Sequence, residues 1–171
     1  MQPLKYLACY SSDIVQQVQS LVDAGTLGQV LLRRYPSLHD IRSDKALYDY
    51  SQALKQSYLR QSQPVSKVIF DDKISLSHQA LGLHSYVARI QGRKLKAKNE
   101  IRISSKLKRV PEPLLKMVVV HELAHLREKE HNKAFYQLCT HMLPDYHQLE
   151  FDLRLYLTCV NAAQCPYQAM A

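Results

Sequence analysis

The residues best suited to chemistry are His121-Glu122-Leu123-Ala124-His125, followed by His131. Residues four apart lie on one face of a helix, so His121 and His125 can offer two imidazoles to one metal ion. Glu122 lies beside them and can serve as a general base without being a ligand. This H-E-x-x-H spacing is used by zinc hydrolases, most of them metalloproteases. A catalytic zinc commonly takes three protein ligands and keeps a fourth position for water. His131 is the first choice for the third. An uninterrupted helix would turn it away from the His121/His125 face, so the chain must bend between His125 and His131. Asn132 then caps a further helix from Lys133 to about Met142. Glu150, on the last helix, is the alternative third ligand. Glu128 shares a face with His121 but sits too far along the axis.

A zinc ion held by His121, His125 and His131 would lower the pKa of water toward neutrality and polarise the electrophile. Glu122 would take the proton and return it to the leaving group. Glu150, Asp152 and Asp145 are candidates to orient the imidazole N–H groups. Tyr136, His141, Tyr146 and His147 are candidates to stabilise the developing negative charge.

The helix that presents these groups starts at Pro111-Glu112-Pro113, where proline suits a first turn and Glu112 the positive helix end. Leu114, Leu115, Met117, Val118, Val119, Val120, Leu123 and Ala124 make it the most apolar helix of the chain. Two histidines and a glutamate on such a helix are costly unless they find partners, and a metal would supply one. Upstream, helical spacing predicts segments from Ser12 or Asp13 to Gly25, from about Thr26 to Tyr35, and from about Asp44 to Arg60. Period-two runs at Val65–Ser75, Leu83–Gln91 and Leu95–Ser104, with a turn at Gly92, predict antiparallel strands with one wet face. A last helix is expected from Asp145 to about Val160. The residues after Asn161 are expected to be loose.

The chain has 171 residues, 46% of them hydrophobic, enough for one domain with a proper core. No run approaches the length of a transmembrane helix, and MQPLKYLACYSSDIV lacks the marks of a secretory signal. Cys9, Cys139, Cys159 and Cys165 form no C-x-x-C pair and suit free thiols in a reducing cytoplasm. The net charge is +8. The basic residues gather between Arg89 and Arg109, nine of them against the single acid Glu100. Such a run is either a solvated strand face or a positive rim for phosphates, nucleic acid or acidic peptides. No aromatic residue interleaves it, which disfavours a base-stacking surface.

The run Val118–Cys139 (VVVHELAHLREKEHNKAFYQLC) resembles the YgjP-like metal-dependent hydrolase family, also described as a metallopeptidase domain. The matching positions are His121, Glu122, Leu123, His125, Leu126, His131, Phe135 and Tyr136. Leu143-Pro144-Asp145-Tyr146 fits the family's turn after this helix. DKALY at Asp44–Tyr48 and ALGLH at Ala80–His84 extend the resemblance over the chain. More distantly, the arrangement is similar to the SprT-like zinc proteases. Many family members carry Arg-Trp-Gly-Ser-Cys on the strand before the helix. This chain has Arg89-Ile90-Gln91-Gly92-Arg93 there and no tryptophan. The resemblance implies metal dependence and hydrolysis.

The expectation is an α+β fold in which a small antiparallel sheet of about three strands packs on the H-E-x-x-H helix. Residues 1–63 form a helical N-terminal region and residues 64–171 the metal-hydrolase core, together one compact unit. The expected function is a zinc metallopeptidase with Glu122 as base. The alternatives are a metal-dependent nucleoside triphosphate pyrophosphohydrolase and a SprT-like protease acting on DNA-bound proteins. Peptide or nucleotide substrates are expected, nucleic acid is a possible partner through Arg89–Arg109, and no membrane is involved.

Overall fold

The computed structural model describes residues 4–74, 82–91 and 94–170, with the backbone alone for 82–91, 94–98 and 169–170. Three helices come first: α1 (Ser12–Asp23), α2 (Leu27–Arg34) and α3 (Asp44–Tyr58). Between α1 and α2, Gly25 takes φ +68°, a left-handed conformation that stops a helix and that glycine adopts without strain. Ser43 caps α3 by accepting from the Ala46 N–H at 3.1 Å.

Three strands follow: β1 (Val65–Asp71), β2 (Gly82–Gln91) and β3 (Lys94–Ser104). The expected Gly92 turn lies outside the described residues. The sheet order is β1-β3-β2, and β1 runs parallel to β3 while β2 runs antiparallel to it. The all-antiparallel sheet expected from the sequence is therefore wrong. Each strand's alternation states which face it buries, but not which strand lies beside it. Because β1 joins the far side of β3, an up-down-up chain path sets the two in parallel. A register shift between Val65 and Lys67 puts Val65 and Val68, three apart, both in the core.

The cover of the sheet also differs from expectation. The main helical neighbour of β1 is α3, and α4 (Glu112–Ala124) touches β2 and β3 more lightly. The side chains of α3 satisfy the unpaired outer edge of β1. Asp44 Oδ1 accepts from the Phe70 N–H at 2.9 Å, and Gln52 Nε2 donates to the Val65 carbonyl at 3.0 Å. An open strand edge is a template for pairing with other chains, and α3 blunts this one.

α5 (Lys133–Met142) and α6 (Tyr146–Asn161) pack against α4. α4 is apolar nearly all round, with Leu114, Leu115, Val119, Val120 and Leu123 fully buried. It is the centre of the core. Tyr50 donates to the Glu112 carboxylate at the start of α4, tying α3 to it. No helix of the described residues is long and apolar enough to cross a membrane.

The residues after Asn161 are not loose. Pro166–Met170 form a 3-10 turn, and Tyr167 is 1% exposed. Its hydroxyl donates to the Tyr35 carbonyl at 3.0 Å, and Gln164 Nε2 donates to the Val22 carbonyl at 2.8 Å. Small and polar residues give this stretch no helical period. α2 comes so close that a Cβ on Gly28 would lie 2.3 Å from the Gln164 carbonyl oxygen. The Gly28→Ala variant is expected to lose about 1–3 kcal/mol of stability in thermal unfolding, because backbone must move to admit the methyl group.

Candidate metal centre

α4 ends at Ala124, and His125 is its C-cap with helical backbone angles (φ −64°, ψ −10°). His121 and His125 therefore keep the four-residue helical spacing. The chain then leaves the helix through Leu126–His131 and re-enters one at Lys133, capped by Asn132, whose side chain accepts from the Phe135 N–H at 2.9 Å. This is the bend that the sequence requires between His125 and His131. It swings His131 back so that its Nε2 lies 3.2 Å from His121 Nε2 and 3.1 Å from His125 Nε2.

The three imidazoles form a histidine-only cluster able to coordinate a divalent metal. The outward nitrogens show which atoms are free to do so. His125 Nδ1 lies 2.9 Å from the Glu128 carbonyl, which can only accept, so Nδ1 carries the proton and Nε2 the lone pair. His121 Nδ1 lies 2.7 Å from the Tyr146 hydroxyl, and Glu150 is a further hydrogen-bond partner of that hydroxyl. With the phenol O–H donating to the Glu150 carboxylate, His121 Nδ1–H donates to the phenol oxygen and leaves Nε2 bare. Burial, helped by the charges of His125 and His131, holds the His121 pKa down to about 3, so its imidazole is neutral near pH 7.

Phe135 forms the floor. It is fully buried, and its ring centroid lies 4.9, 4.7 and 4.9 Å from those of His121, His125 and His131. One aromatic ring thus restrains all three imidazoles. Glu122 is 2% exposed, and burial pushes its carboxyl up to about 8. A carboxyl that titrates near neutrality can exchange a proton in either direction.

The structure brings together His121, His125 and His131, with Glu122 buried on α4 between the first two, and Glu150 interacts with Tyr146. Asp152 is committed elsewhere, pairing with Arg34 at 2.9 Å on the α2 side of α6. Asp145 is exposed and makes no hydrogen bond to an imidazole among the described residues. His141 is exposed and edge-on to Tyr58, with 5.9 Å between centroids, and His147 is exposed beside Tyr136 at 5.6 Å. The roles of Phe135 and Tyr146 were not legible. Both fell in the motif of the family resemblance, and Tyr146 was a candidate to stabilise negative charge, but nothing marked either as a neighbour of the imidazole rings.

A family model described as "YgjP-like, metallopeptidase domain" matches residues 47–156. The chain is also 55% identical over 164 residues to a protein of Escherichia coli (strain K12) named UTP pyrophosphatase, covering 96% of this chain and 98% of that one. The chain belongs to the YgjP-like family. As a YgjP-like protein it is a metal-dependent hydrolase, and among the described residues the histidine cluster can hold a divalent metal. No solved structure matches this chain.

Proposed function

We propose that this YgjP-like protein is a zinc-dependent pyrophosphohydrolase of nucleoside triphosphates. His121, His125 and His131 hold the ion and Glu122 moves the proton. One observation carries the choice of substrate: 55% identity across 98% of a protein named UTP pyrophosphatase. The donor set supports zinc. Nitrogens about 2.0–2.1 Å from a tetrahedral ion lie roughly 3.3 Å apart, close to the 3.1 and 3.2 Å separations of the Nε2 atoms.

A bound zinc ion supplies positive charge that polarises the phosphoryl oxygens and acidifies water. Glu122 accepts a proton from the attacking water as the water oxygen bonds to the α-phosphorus. The bond from that phosphorus to the bridging oxygen breaks, and Glu122 passes the proton to the departing pyrophosphate. The products are a nucleoside monophosphate and pyrophosphate. Tyr146 and the Glu128 carbonyl fix the imidazole rings through their Nδ1 atoms, and Phe135 keeps the floor dry.

A zinc peptidase is the second reading. It is favoured by Glu122 lying next to the histidine cluster, which would serve amide hydrolysis equally well. Mass spectrometry of products from a mixed pool of peptides and nucleoside triphosphates separates the two. Wild type, but not Glu122→Gln, should convert nucleoside triphosphates to monophosphates. Peptide cleavage with intact nucleotides would reverse the order of the readings.

The ligand roles have their own test. Tyr146→Phe should weaken metal affinity by about 10–100-fold in a chelator competition, since the ring orientation of His121 is released. His131→Ala should lose the metal while Glu150→Ala keeps most of it. The opposite pair of results would transfer the third position to Glu150.

A further inference from the structure

The basic run that begins at Arg89 ends in the 3-10 turn Ser105–Arg109, and this turn is not beside the histidines. α4 begins at Glu112, and His121 lies nine residues further on, about 14 Å along the helix axis. α6 runs the opposite way. Tyr146, at its start, meets His121, whereas Tyr156 is about 15 Å further along the helix and lies beside the turn.

A cleft of about 330 Å³ opens at that remote end of the α4–α6 pair. Lys106, Lys108 and Arg109 from the turn line it, together with Tyr156, Cys165 and Tyr167. Its size falls at the lower end of the range for small-molecule pockets. Among the described residues no ion pair engages any of the three cations. Lys108 Nζ rests 5.3 Å from the Phe70 ring centroid.

The aromatic wall points to a ligand independently. Tyr156 is 6% exposed, lines the cleft, and its hydroxyl makes no hydrogen bond among the described residues. The hydroxyl is not sealed in the core, so it opens into the cleft as a donor available to a ligand. The Tyr167 hydroxyl is already used on the Tyr35 carbonyl, which fixes its ring 6.3 Å from that of Tyr156 with 39° between the planes.

We infer that this cleft is a second ligand site, separate from the histidine cluster, for a small phosphorylated molecule carrying a planar ring, such as a mononucleotide. Lys106, Lys108 and Arg109 bind the phosphate, Tyr156 donates its free hydroxyl, and the tyrosine rings face the base. The inference does not depend on which substrate the histidine site hydrolyses.

Titration calorimetry of the full chain with AMP, with inorganic phosphate as the ring-free probe, tests it. Lys106 and Arg109 are exposed, so the double variant K106A/R109A should fold, and its melting curve checks that. AMP affinity should fall at least tenfold in K106A/R109A, fall also in Y156F, and stay unchanged in H125A. Phosphate should bind more weakly than AMP. Affinity that survives K106A/R109A, or vanishes in H125A, would assign the AMP to the histidine site and overturn the inference. So would no binding at millimolar AMP, or binding of an oligonucleotide but not of AMP.

Discussion

Replacing Glu122 by glutamine is expected to cut turnover by about 10²–10⁴-fold, the usual contribution of a positioned general base. Metal content, measured by elemental analysis, should not change, because the three imidazoles are untouched. Loss of metal along with activity would mean that Glu122 supports the ligands instead of moving a proton. The same variant has a second expected effect, on the stability of the metal-free protein. Burial raises the Glu122 carboxyl from 4.5 to about 8, so the folded state holds a proton that the unfolded state has released. Stability from this group is fully present below about 4.5 and is lost as pH rises toward 8. Glutamine has no such loss. Metal-free Glu122→Gln should therefore unfold at higher urea than wild type at pH 8.5, by at most about 5 kcal/mol, with the gap closing toward pH 5. A bound cation lowers the carboxyl's pKa and should shrink the difference.

The second large effect is on the fold. Asp152→Ala is expected to lose about 3–4 kcal/mol, roughly 6–16 °C in melting temperature for a chain of this size. The Asp152 side chain is fully buried. It accepts from Arg34 Nη1 at 2.9 and 3.0 Å, from Gln148 Nε2 at 3.0 Å, and from the Tyr35 hydroxyl. Its removal leaves the half-buried Tyr35 hydroxyl and the exposed donors of Arg34 and Gln148 without their acceptor. Arg34 is 53% exposed and can turn to water, so the loss stays below that for a wholly buried pair. Asp152→Asn, which keeps one acceptor oxygen, should lose less. A change under about 1 kcal/mol for the alanine variant would mean that apolar contacts alone hold α2 to α6.

Much of the fold was legible because burial in helices and strands is periodic. Val18, Leu31 and Leu47 fall on the stripes that the helical spacing marks, and all are in the core. Asn132 announced α5 because a cap has a local chemical signature. What period cannot carry is partnership. β1 pairs with β3 and not β2 through a choice made between strands, so its parallel sense was invisible. The site divided in the same way. His121, Glu122 and His125 lie in five consecutive residues, and a helix brings them together without tertiary help. His131 needed only a bend. Tyr146 reaches His121 from 25 residues away, and a tyrosine beginning a helix carries no mark of that contact. The basic run from Arg89 was legible as charge, but only the packing of α4 against α6 shows that its last three cations face away from the histidines. The side chains of Arg89, Lys94, Lys96 and Lys98, like the whole of Arg93, lie outside those described.

The bonds that hold the first helices come from far along the chain. Arg154 donates to the Tyr6 carbonyl from 148 residues away, Gln164 to Val22 from 142, and Tyr167 to Tyr35 from 132. A growing chain emerges from the ribosome N-terminus first, so α1 and α2 are made long before their partners exist. Contacts that close such long loops form late and slowly. Until α6 is made, α2 lacks the helix that covers much of its apolar stripe, and that stripe is open to chaperones and proteases. A ribosome stalled before α6 would therefore present a chain whose oldest part is its least finished.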